Sequence, residues 1–379
     1  MSALTRATGA VTIAFGPHAS SAPALAMARA PREIDGLFVG EPEAAAVALA
    51  ALDRADDWRR VESLTFRQHD RIVAHQRTGR FDGFTTASGP DWTGVDFAHH
   101  RLPLVNAPYA LVETSRGCPY TCDFCVAPIH QGHVFRSRPP QQIVDEMARA
   151  QRERGVEYFY FWGDTVTLNL KTFGTLADTL IARQLGVRWL ANARADNLAD
   201  PRFVDKLRAS GCWMLSFGVE AWSSDSRDAM HKKLGQNAIH AAVKNLRRAG
   251  IYSFAFFILG YPGETRESME RTIAFSSELD VDFAGFYPAV PYPGTVMGDR
   301  ARESGWLAEP DNWSHLEYHY YAMRTGTLDP PSVMGMLSRA RRRFYARPRY
   351  VMRHAGALAR VALSKPGITR RLVQQMFGG

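Results

Sequence analysis

Three of the four cysteines in this chain lie within one short segment, at Cys118, Cys122 and Cys125. This CxxxCxxC spacing puts three thiols on a single loop and leaves Cys212 as the one cysteine elsewhere. Four-iron clusters normally take four cysteine ligands, so three thiolates leave one iron free to chelate a small molecule. The spacing therefore predicts a three-thiolate iron–sulfur site that performs chemistry, since a fully ligated cluster would indicate electron transfer.

Other uses of the three cysteines are weaker interpretations. A zinc site with His130 or His133 stays open, although structural zinc usually takes two ligand pairs and no second CxxC follows. It would make the chain a non-catalytic, metal-binding interaction protein. A disulfide is disfavoured because we find no secretory signal before the motif and a chain of 379 residues can build its core without covalent links.

The residues around the motif place it after a strand. The run 109–113 is short and apolar, so the cysteines are expected on a loop at the carboxyl end of a strand. Barrel enzymes carry their active sites at such strand ends. With Phe124 directly before the third cysteine, the motif resembles that of the radical S-adenosylmethionine (SAM) superfamily.

The resemblance implies the cofactors and the chemistry. It assigns a [4Fe-4S] cluster to Cys118, Cys122 and Cys125 as metal ligands, with the amino and carboxylate groups of SAM on the open iron. Reductive cleavage of SAM would then give methionine and a 5′-deoxyadenosyl radical. The electron would come from a donor such as flavodoxin or ferredoxin.

Strand-like and helical segments alternate regularly after residue 108. Six such strands with intervening helices predict an α/β fold with a parallel sheet covered by helices. The resemblance implies a partial (β/α)6 barrel of the TIM type, the radical SAM core, over residues 109–310. The expected strands are 109–113, 158–162, 187–192, 212–217, 252–259 and 283–290.

Polar residues and glycines end several of these strands, and the resemblance assigns contacts with SAM to them. None is assigned as a catalytic group. Asp164 is alternatively an N-cap for the next helix, Arg194 and Glu220 are alternatively partners in structural ion pairs, and the turn after Gly260 is alternatively only a helix start. The expected cofactor-binding residues are Phe124, Gly163, Asp164, Asn192, Arg194, Glu220, Ile258 and Gly260.

Three further segments resemble one branch of the superfamily, in which a cobalamin-binding domain precedes the core. They read YPGET (261–265), PYPGT (291–295) and FYARPR (344–349). This branch contains class B methyltransferases, anaerobic magnesium-protoporphyrin ester cyclases and hopanoid-modifying enzymes. The resemblance implies methylation of an unactivated carbon with cobalamin, and cobalamin-independent rearrangement, cyclisation or oxidation is the alternative.

The N-terminal residues 1–60 resemble part of such a Rossmann-like cobalamin-binding domain. A strand and a glycine-containing loop at 11–20 precede a second strand near 35–43. A site at the switch point of a doubly wound sheet needs both halves of the sheet, and two or more strands of the early half are not found, so cobalamin binding stays open. Residues 61–108 lack clear periodicity and are expected to form a linker.

Composition limits the remaining possibilities. With 46% hydrophobic and 22% charged residues and no apolar run of membrane-spanning length, a cytoplasmic enzyme with a small-molecule or lipid-type substrate is expected. The net charge of +8 arises from residues 338–379, which hold eleven Lys and Arg and no acid. The extension 311–379 is therefore expected to be basic and helical, either capping the barrel or lying on a membrane surface, and no nucleic acid partner is expected.

Overall fold

The computed structural model describes residues 8–52, 55–69, 71–75, 81–86, 89–102, 105–310 and 312–364. In chain order the strands are β1 (Ile13–Ala14), β2 (Gly36–Phe38), β3 (Leu64–Gln68), β4 (Arg71–Val73), β5 (Tyr109–Glu113), β6 (Ser115–Arg116), β7 (Arg136–Ser137), β8 (Tyr158–Trp162), β9 (Arg188–Ala193), β10 (Cys212–Glu220), β11 (Tyr252–Leu259) and β12 (Phe283–Pro288).

The helices are likewise numbered along the chain. They are α1 (Pro17–Ser21), α2 (Pro23–Arg29), α3 (Glu43–Ala50), α4 (Ala127–Gln131), α5 (Pro140–Arg154), α6 (Leu170–Arg183), α7 (Pro201–Ala209), α8 (Ser224–Ala229), α9 (Gln236–Ala249), α10 (Arg266–Glu278), α11 (Val296–Glu303), α12 (Pro330–Tyr345) and α13 (Pro348–Ser364). Short 3-10 segments occupy Ala55–Arg60, Asp82–Thr85, Ala195–Leu198 and Trp313–His315.

The chain divides into two compact units. The first comprises Met1–Ala87, Arg116–Arg136 and Pro291–Glu303, and the second comprises Ser88–Ser115, Ser137–Val290 and Ser304–Gly379. The cysteine-bearing segment therefore belongs to the first unit, together with the N-terminal residues.

The second unit is built on a six-stranded parallel sheet. Its strands lie in the order β12-β11-β10-β9-β8-β5, and each pairs in parallel with its neighbours. Helices follow each of β8 to β11, because a parallel connection needs a crossover long enough to return the chain to the same edge of the sheet. The α/β fold and the parallel sheet predicted from the sequence are confirmed.

The two faces of this sheet differ in burial. In β11 the side chains of Ser253, Ala255, Phe257 and Leu259 are buried, whereas the alternate residues of the strand are partly or fully exposed. Because side chains alternate across a strand, one face carries the closed packing and the other is partly open. The open face is the one available for a ligand.

An apolar cluster fills the amino-terminal half of the open face. Leu102, from the segment before β5, packs there with side chains that lie early in their strands. The carboxyl ends of the strands remain free of this cluster. Its other members are Leu190, Trp213, Met214, Tyr109, Tyr158, Tyr160, Phe254 and Phe283.

The first unit contains a four-stranded sheet in the order β1-β2-β3-β4. β1 and β2 pair in parallel, whereas β2–β3 and β3–β4 pair antiparallel around a core that includes Phe38, Trp58 and Phe66. Two strands thus lie within residues 61–108, where the sequence predicted a linker. That expectation is wrong for Leu64–Gln68 and Arg71–Val73, because these strands of five and three residues are too short to show periodicity and are stabilised by pairing, β3 with β2 and β4 with β3.

The basic C-terminal extension packs on the second unit. The Tyr345 hydroxyl donates to the Ala284 carbonyl (2.8 Å) in β12, and the Arg353 guanidinium pairs with the Asp280 carboxylate (2.8 Å). The described part of the extension therefore packs against the second unit at β12, and its role as a cap of a barrel stays a prediction. Within the described residues, none of the helices has the length and apolar character required to cross a membrane.

Candidate cluster and cofactor site

The three clustered cysteines lie on the loop between β6 and β7, in the first unit. Cys118, Cys122 and Cys125 are half-buried and are not joined by disulfides. Phe124, between the second and third cysteines, is also half-buried. Cys212 differs, because it is fully buried in β10 and burial raises the pKa of its thiol well above the usual value. The cysteine loop therefore carries three partly exposed thiols, whereas the buried Cys212 thiol of the second unit is unreactive.

The base of this cysteine loop is closed by backbone contacts. The Cys118 N–H donates to the Gly132 carbonyl (3.0 Å). Gly117 has φ +82°, and a Cβ on it would lie 2.3 Å from the Val134 carbonyl oxygen. Only glycine fits at this position, so the close approach of the two ends of the loop requires Gly117.

The donor set fits an iron–sulfur cluster. In a cluster the thiolates bind different irons, so they need not converge on one point. In the part of the chain that the structure describes, no group of three or more His, Cys, Asp or Glu side chains is arranged to hold a single metal ion. The zinc interpretation also required a nearby histidine as a ligand. His130 instead contacts the Ser20 hydroxyl through its Nδ1 atom (3.1 Å).

In the second unit, Gly163 and Asp164 follow β8 directly. A Cβ on Gly163 would lie 2.4 Å from the Ser115 hydroxyl oxygen, so glycine is required by this close approach. Asp164 is half-buried. The alternative N-cap interpretation is wrong, because Asn169 caps α6 by accepting from the Thr172 N–H (3.0 Å). The role of Gly163 and Asp164 toward SAM stays a prediction.

Asn192 and Arg194 lie at the end of β9. The Asn192 amide donates to the Tyr160 hydroxyl (3.2 Å). Arg194 is buried and pairs with Asp196 (3.0 Å), and its guanidinium also donates to the Lys233 carbonyl (3.2 Å). The structural ion pair that the sequence left open is thus present, and a contact with SAM stays a prediction for both residues.

Glu220 ends β10 in a left-handed conformation, with φ +63°. Its carboxylate pairs with the Lys232 ammonium (2.7 Å), and the two side chains are only 6% and 12% exposed. A Cβ on Gly218 would lie 1.9 Å from the Glu220 carboxylate oxygen, so glycine makes room for this pair. Sequence reasoning missed Lys232, because its position depends on the non-glycine positive-φ residues His231 and Lys233.

Ile258 and Gly260 lie at the end of β11. Ile258 is half-buried on the open face, and Gly260 has φ +82° with the Tyr321 ring 2.8 Å from where a Cβ would lie. The Tyr321 hydroxyl donates to the Gly260 carbonyl (2.9 Å). Thr265 caps α10, so the helix-start interpretation of this turn is confirmed, while contact with SAM stays a prediction.

Glu264 is a buried carboxylate in the same turn that sequence reasoning did not single out. It accepts hydrogen bonds from the Gly260 N–H (2.8 Å) and the Tyr261 N–H (3.0 Å). Burial raises its pKa to about 7, and these two N–H donors oppose the rise. The Gly260 N–H is therefore bound by a carboxylate whose charge changes near neutral pH.

The cofactor residues predicted in the second unit share one edge of its sheet. The parallel strands β8, β9, β10 and β11 are consecutive neighbours, so their carboxyl ends meet at the same edge. The predicted residues there are Gly163, Asp164, Asn192, Arg194, Glu220, Ile258 and Gly260. A three-cysteine loop after β5 and polar groups at successive strand ends define a cluster-dependent α/β enzyme.

A comparison with protein families agrees with this class. Residues 112–276 match the sequence profile of the radical SAM superfamily. The match begins in β5, includes the cysteine loop and ends in α10.

Curated relatives point to two activities. An uncharacterised methyltransferase of Pyrococcus horikoshii is 27% identical over 89% of this chain and 73% of its own length. The anaerobic magnesium-protoporphyrin IX monomethyl ester cyclase of Cereibacter sphaeroides is 27% identical over 82% of this chain. This chain spans only 51% of the cyclase, so about half of the cyclase has no counterpart in it.

Among solved structures, the fold is similar to that of TsrM from Kitasatospora setae, a radical SAM methyltransferase with cobalamin and a [4Fe-4S] cluster bound. The TM-score is 0.66 with 19% identity, over 78% of this chain and 60% of TsrM. At this identity the similarity establishes the fold alone.

Proposed function

We propose that this radical SAM enzyme methylates an unactivated carbon of a small molecule with the help of cobalamin. The observation that carries the proposal is the loop with three half-buried cysteines, which follows the first strand of a parallel sheet in the chain. The methyltransferase relatives and the fold shared with a cobalamin-bound methyltransferase support the choice of reaction.

In this proposal Cys118, Cys122 and Cys125 hold the [4Fe-4S] cluster. When bound, the cluster would supply the electron that cleaves SAM and a binding position for the amino and carboxylate groups of SAM. An electron donor such as flavodoxin or ferredoxin would reduce it, and an oxygen-sensitive cluster favours a reducing compartment such as the cytoplasm.

The strand ends of the second unit would bind and orient SAM. The Glu220 carboxylate suits the ribose hydroxyls and the Arg194 guanidinium suits a carboxylate, because both contacts are charge-assisted. Gly163 would present its backbone to the ammonium group of SAM. Gly260 would present its backbone to the adenine of SAM. We propose that the six strands curve into the partial barrel of the superfamily, since their order follows the chain without interruption.

The substrate would lie on the open face of the sheet. Trp162 is 48% exposed and Leu111 is 45% exposed there, and Tyr160 contacts Trp162 edge to face. Large partly exposed apolar side chains mark a surface that binds other molecules. A flat or apolar small molecule, or a lipid-type one, would pack against them.

Cobalamin would bind the first unit through the N-terminal sheet. Its β1 and β2 are parallel, as the Rossmann-like prediction requires, whereas β3 and β4 are antiparallel additions. The loop that follows β1 begins with Gly16, which adopts φ +120° and leaves open space where a side chain would stand. Open space at a strand end suits the approach of a large planar ring.

A cobalamin titration tests this proposal. The full chain is mixed anaerobically with hydroxocobalamin, and corrin absorbance follows binding after gel filtration. We expect stoichiometric binding at micromolar concentration, and methyl transfer from labelled SAM to cobalamin in the reconstituted chain. A chain that cleaves SAM but does not retain cobalamin would contradict methylation and favour the cobalamin-independent alternative.

A further inference from the structure

A buried carboxylate of the first unit contacts both ends of the cysteine loop. Glu41 lies between β2 and α3, and its side chain is only 3% exposed. Its carboxylate accepts from the Arg116 guanidinium (3.1 Å) and from the Arg136 guanidinium (3.0 Å). It also accepts from the Phe81 N–H (3.1 Å). One side chain thus joins three segments that are distant in the sequence.

The two arginines mark the ends of the cysteine loop. Arg116 ends β6 and Arg136 begins β7, so the three cysteines lie between them. The Arg136 guanidinium donates further to the Gln131 carbonyl (3.2 Å), inside the loop. The Arg116 guanidinium lies 4.5 Å from the centre of the Phe84 ring. Both guanidinium groups are therefore fixed on more than one side.

The charges in this network depend on one another. Arg116 also pairs with Glu43 (2.6 Å), so two carboxylates face two guanidinium groups. Burial alone would raise the pKa of Glu41, but hydrogen bonds from Arg136 and the Phe81 N–H hold this pKa below its usual range. Removing one carboxylate would leave a buried guanidinium without its compensating charge, which is strongly unfavourable.

A second contact runs from the same N-terminal segment to the loop. The Ser20 hydroxyl accepts from the Gly40 N–H (2.8 Å), directly before Glu41, and contacts His130 Nδ1 (3.1 Å). His130 lies in α4, within the cysteine loop. The residues around β2 therefore hold the loop at its ends and also at a point inside it.

We propose that Glu41 is a positioning residue that fixes both ends of the cysteine loop, so that its three thiols keep the arrangement that a cluster requires. The inference rests on the proposed function in one respect, namely that these thiols bind the cluster. It makes the N-terminal sheet a support for the cluster loop, separate from any contact of that sheet with cobalamin.

The test compares Glu41→Gln with the unmodified full chain. In the iron-free chain the rate of thiol alkylation by a maleimide reports on the cysteine loop, because Cys212 is fully buried and does not react while the chain is folded. In the reconstituted chain, iron loss to a chelator under anaerobic conditions reports on the cluster. We expect both rates to rise by about tenfold in the variant, as for loss of one partner of a buried ion pair.

A matched control is Glu146→Gln in the second unit. Glu146 pairs with Arg138 (2.7 Å), and both side chains are as buried as Glu41, at 1% and 4% exposure. We expect its alkylation and iron-loss rates to rise less than those of Glu41→Gln, because Glu146 pairs with Arg138 and not with the two arginines at the ends of the loop. If both variants show the same increase in the alkylation and iron-loss rates, the effect is general destabilisation and the proposal is overturned. Unchanged rates in Glu41→Gln would also overturn it.

Arg116→Met decides the question if Glu41→Gln does not fold. It removes one contact of Glu41 and leaves Arg136 in place, so its rates should rise by at least threefold, and unchanged rates would overturn the proposal. If the unmodified chain takes up no iron, the cluster assignment fails, and the alkylation rates still decide the role of Glu41.

Discussion

The buried carboxylate of Glu264 makes stability depend on pH in a direction opposite to most carboxylates. Glu264 is 4% exposed, and burial raises its pKa from 4.5 to about 7. Between these two pH values the folded chain keeps the proton that the unfolded chain releases. The stabilising effect of the neutral form is therefore complete below pH 4.5 and is lost as pH rises through about 7.

The magnitude follows from the difference between the two pKa values. At ~1.4 kcal/mol for each pH unit, the folded chain loses about 3 kcal/mol from this group between acidic and mildly alkaline pH. Glu264→Gln removes the titration and keeps the contacts, because an amide oxygen still accepts from the Gly260 and Tyr261 N–H groups. The amide nitrogen would face the Ser268 hydroxyl.

The assay is urea unfolding of the unmodified chain and Glu264→Gln from pH 5 to pH 8.5. Relative to the unmodified chain, the free energy of unfolding of the variant should rise by about 2.5 kcal/mol from pH 5 to pH 8.5, since the part of the effect below pH 5 lies outside this range and all other groups cancel in the difference. Glu267→Gln is the control, because hydrogen bonding lowers the pKa of this exposed carboxyl below its usual value, so it stays ionised throughout the assay and its difference should not change with pH. A difference for Glu264→Gln that does not change with pH would refute the reasoning.

Three further substitutions have defined outcomes. Lys232→Met leaves Glu220 buried without its counter-charge and should lower the free energy of unfolding by about 3–5 kcal/mol, most of which Glu220→Leu in the same chain should restore. Gly260→Ala should cost about 1–3 kcal/mol by urea unfolding, because the residue has positive φ and no room for a Cβ. Cys122→Ser should abolish stable iron uptake in an iron assay, whereas Cys212→Ser should leave it unchanged, since the Cys212 thiol is fully buried. Unchanged stability of the Lys232→Met single variant would contradict the role of its ion pair, and unchanged stability of Gly260→Ala would contradict the requirement for glycine. Equal iron content in Cys122→Ser and Cys212→Ser would contradict the assignment of Cys122 as a ligand.

The second unit could be predicted closely from the sequence. Tyr109–Glu113, Tyr158–Trp162 and Tyr252–Leu259 are strands at the predicted bounds, because apolar and aromatic runs between helical segments are typical of buried parallel strands. The carboxyl ends of these strands, where the predicted cofactor residues lie, follow from the same pattern.

The first unit could not be predicted as well. β4 has three residues, Arg71–Val73, and exists because it pairs with β3, a contact that no local pattern indicates. The same holds for Glu41, which contacts two arginines 75 and 95 positions further along the chain. Long-range ion pairs of this kind depend on the fold itself, so the support of the cysteine loop became visible only in the structure.

We propose that Cys118, Cys122 and Cys125 hold a cluster that cleaves SAM. The most direct measurement is anaerobic reconstitution of the full chain with iron and sulfide, followed by reduction in the presence of SAM. We expect about four irons per chain and SAM-dependent formation of 5′-deoxyadenosine, both lost in the triple serine variant of these cysteines. Tight binding of zinc with no iron uptake, or 5′-deoxyadenosine formation that survives the triple substitution, would contradict it.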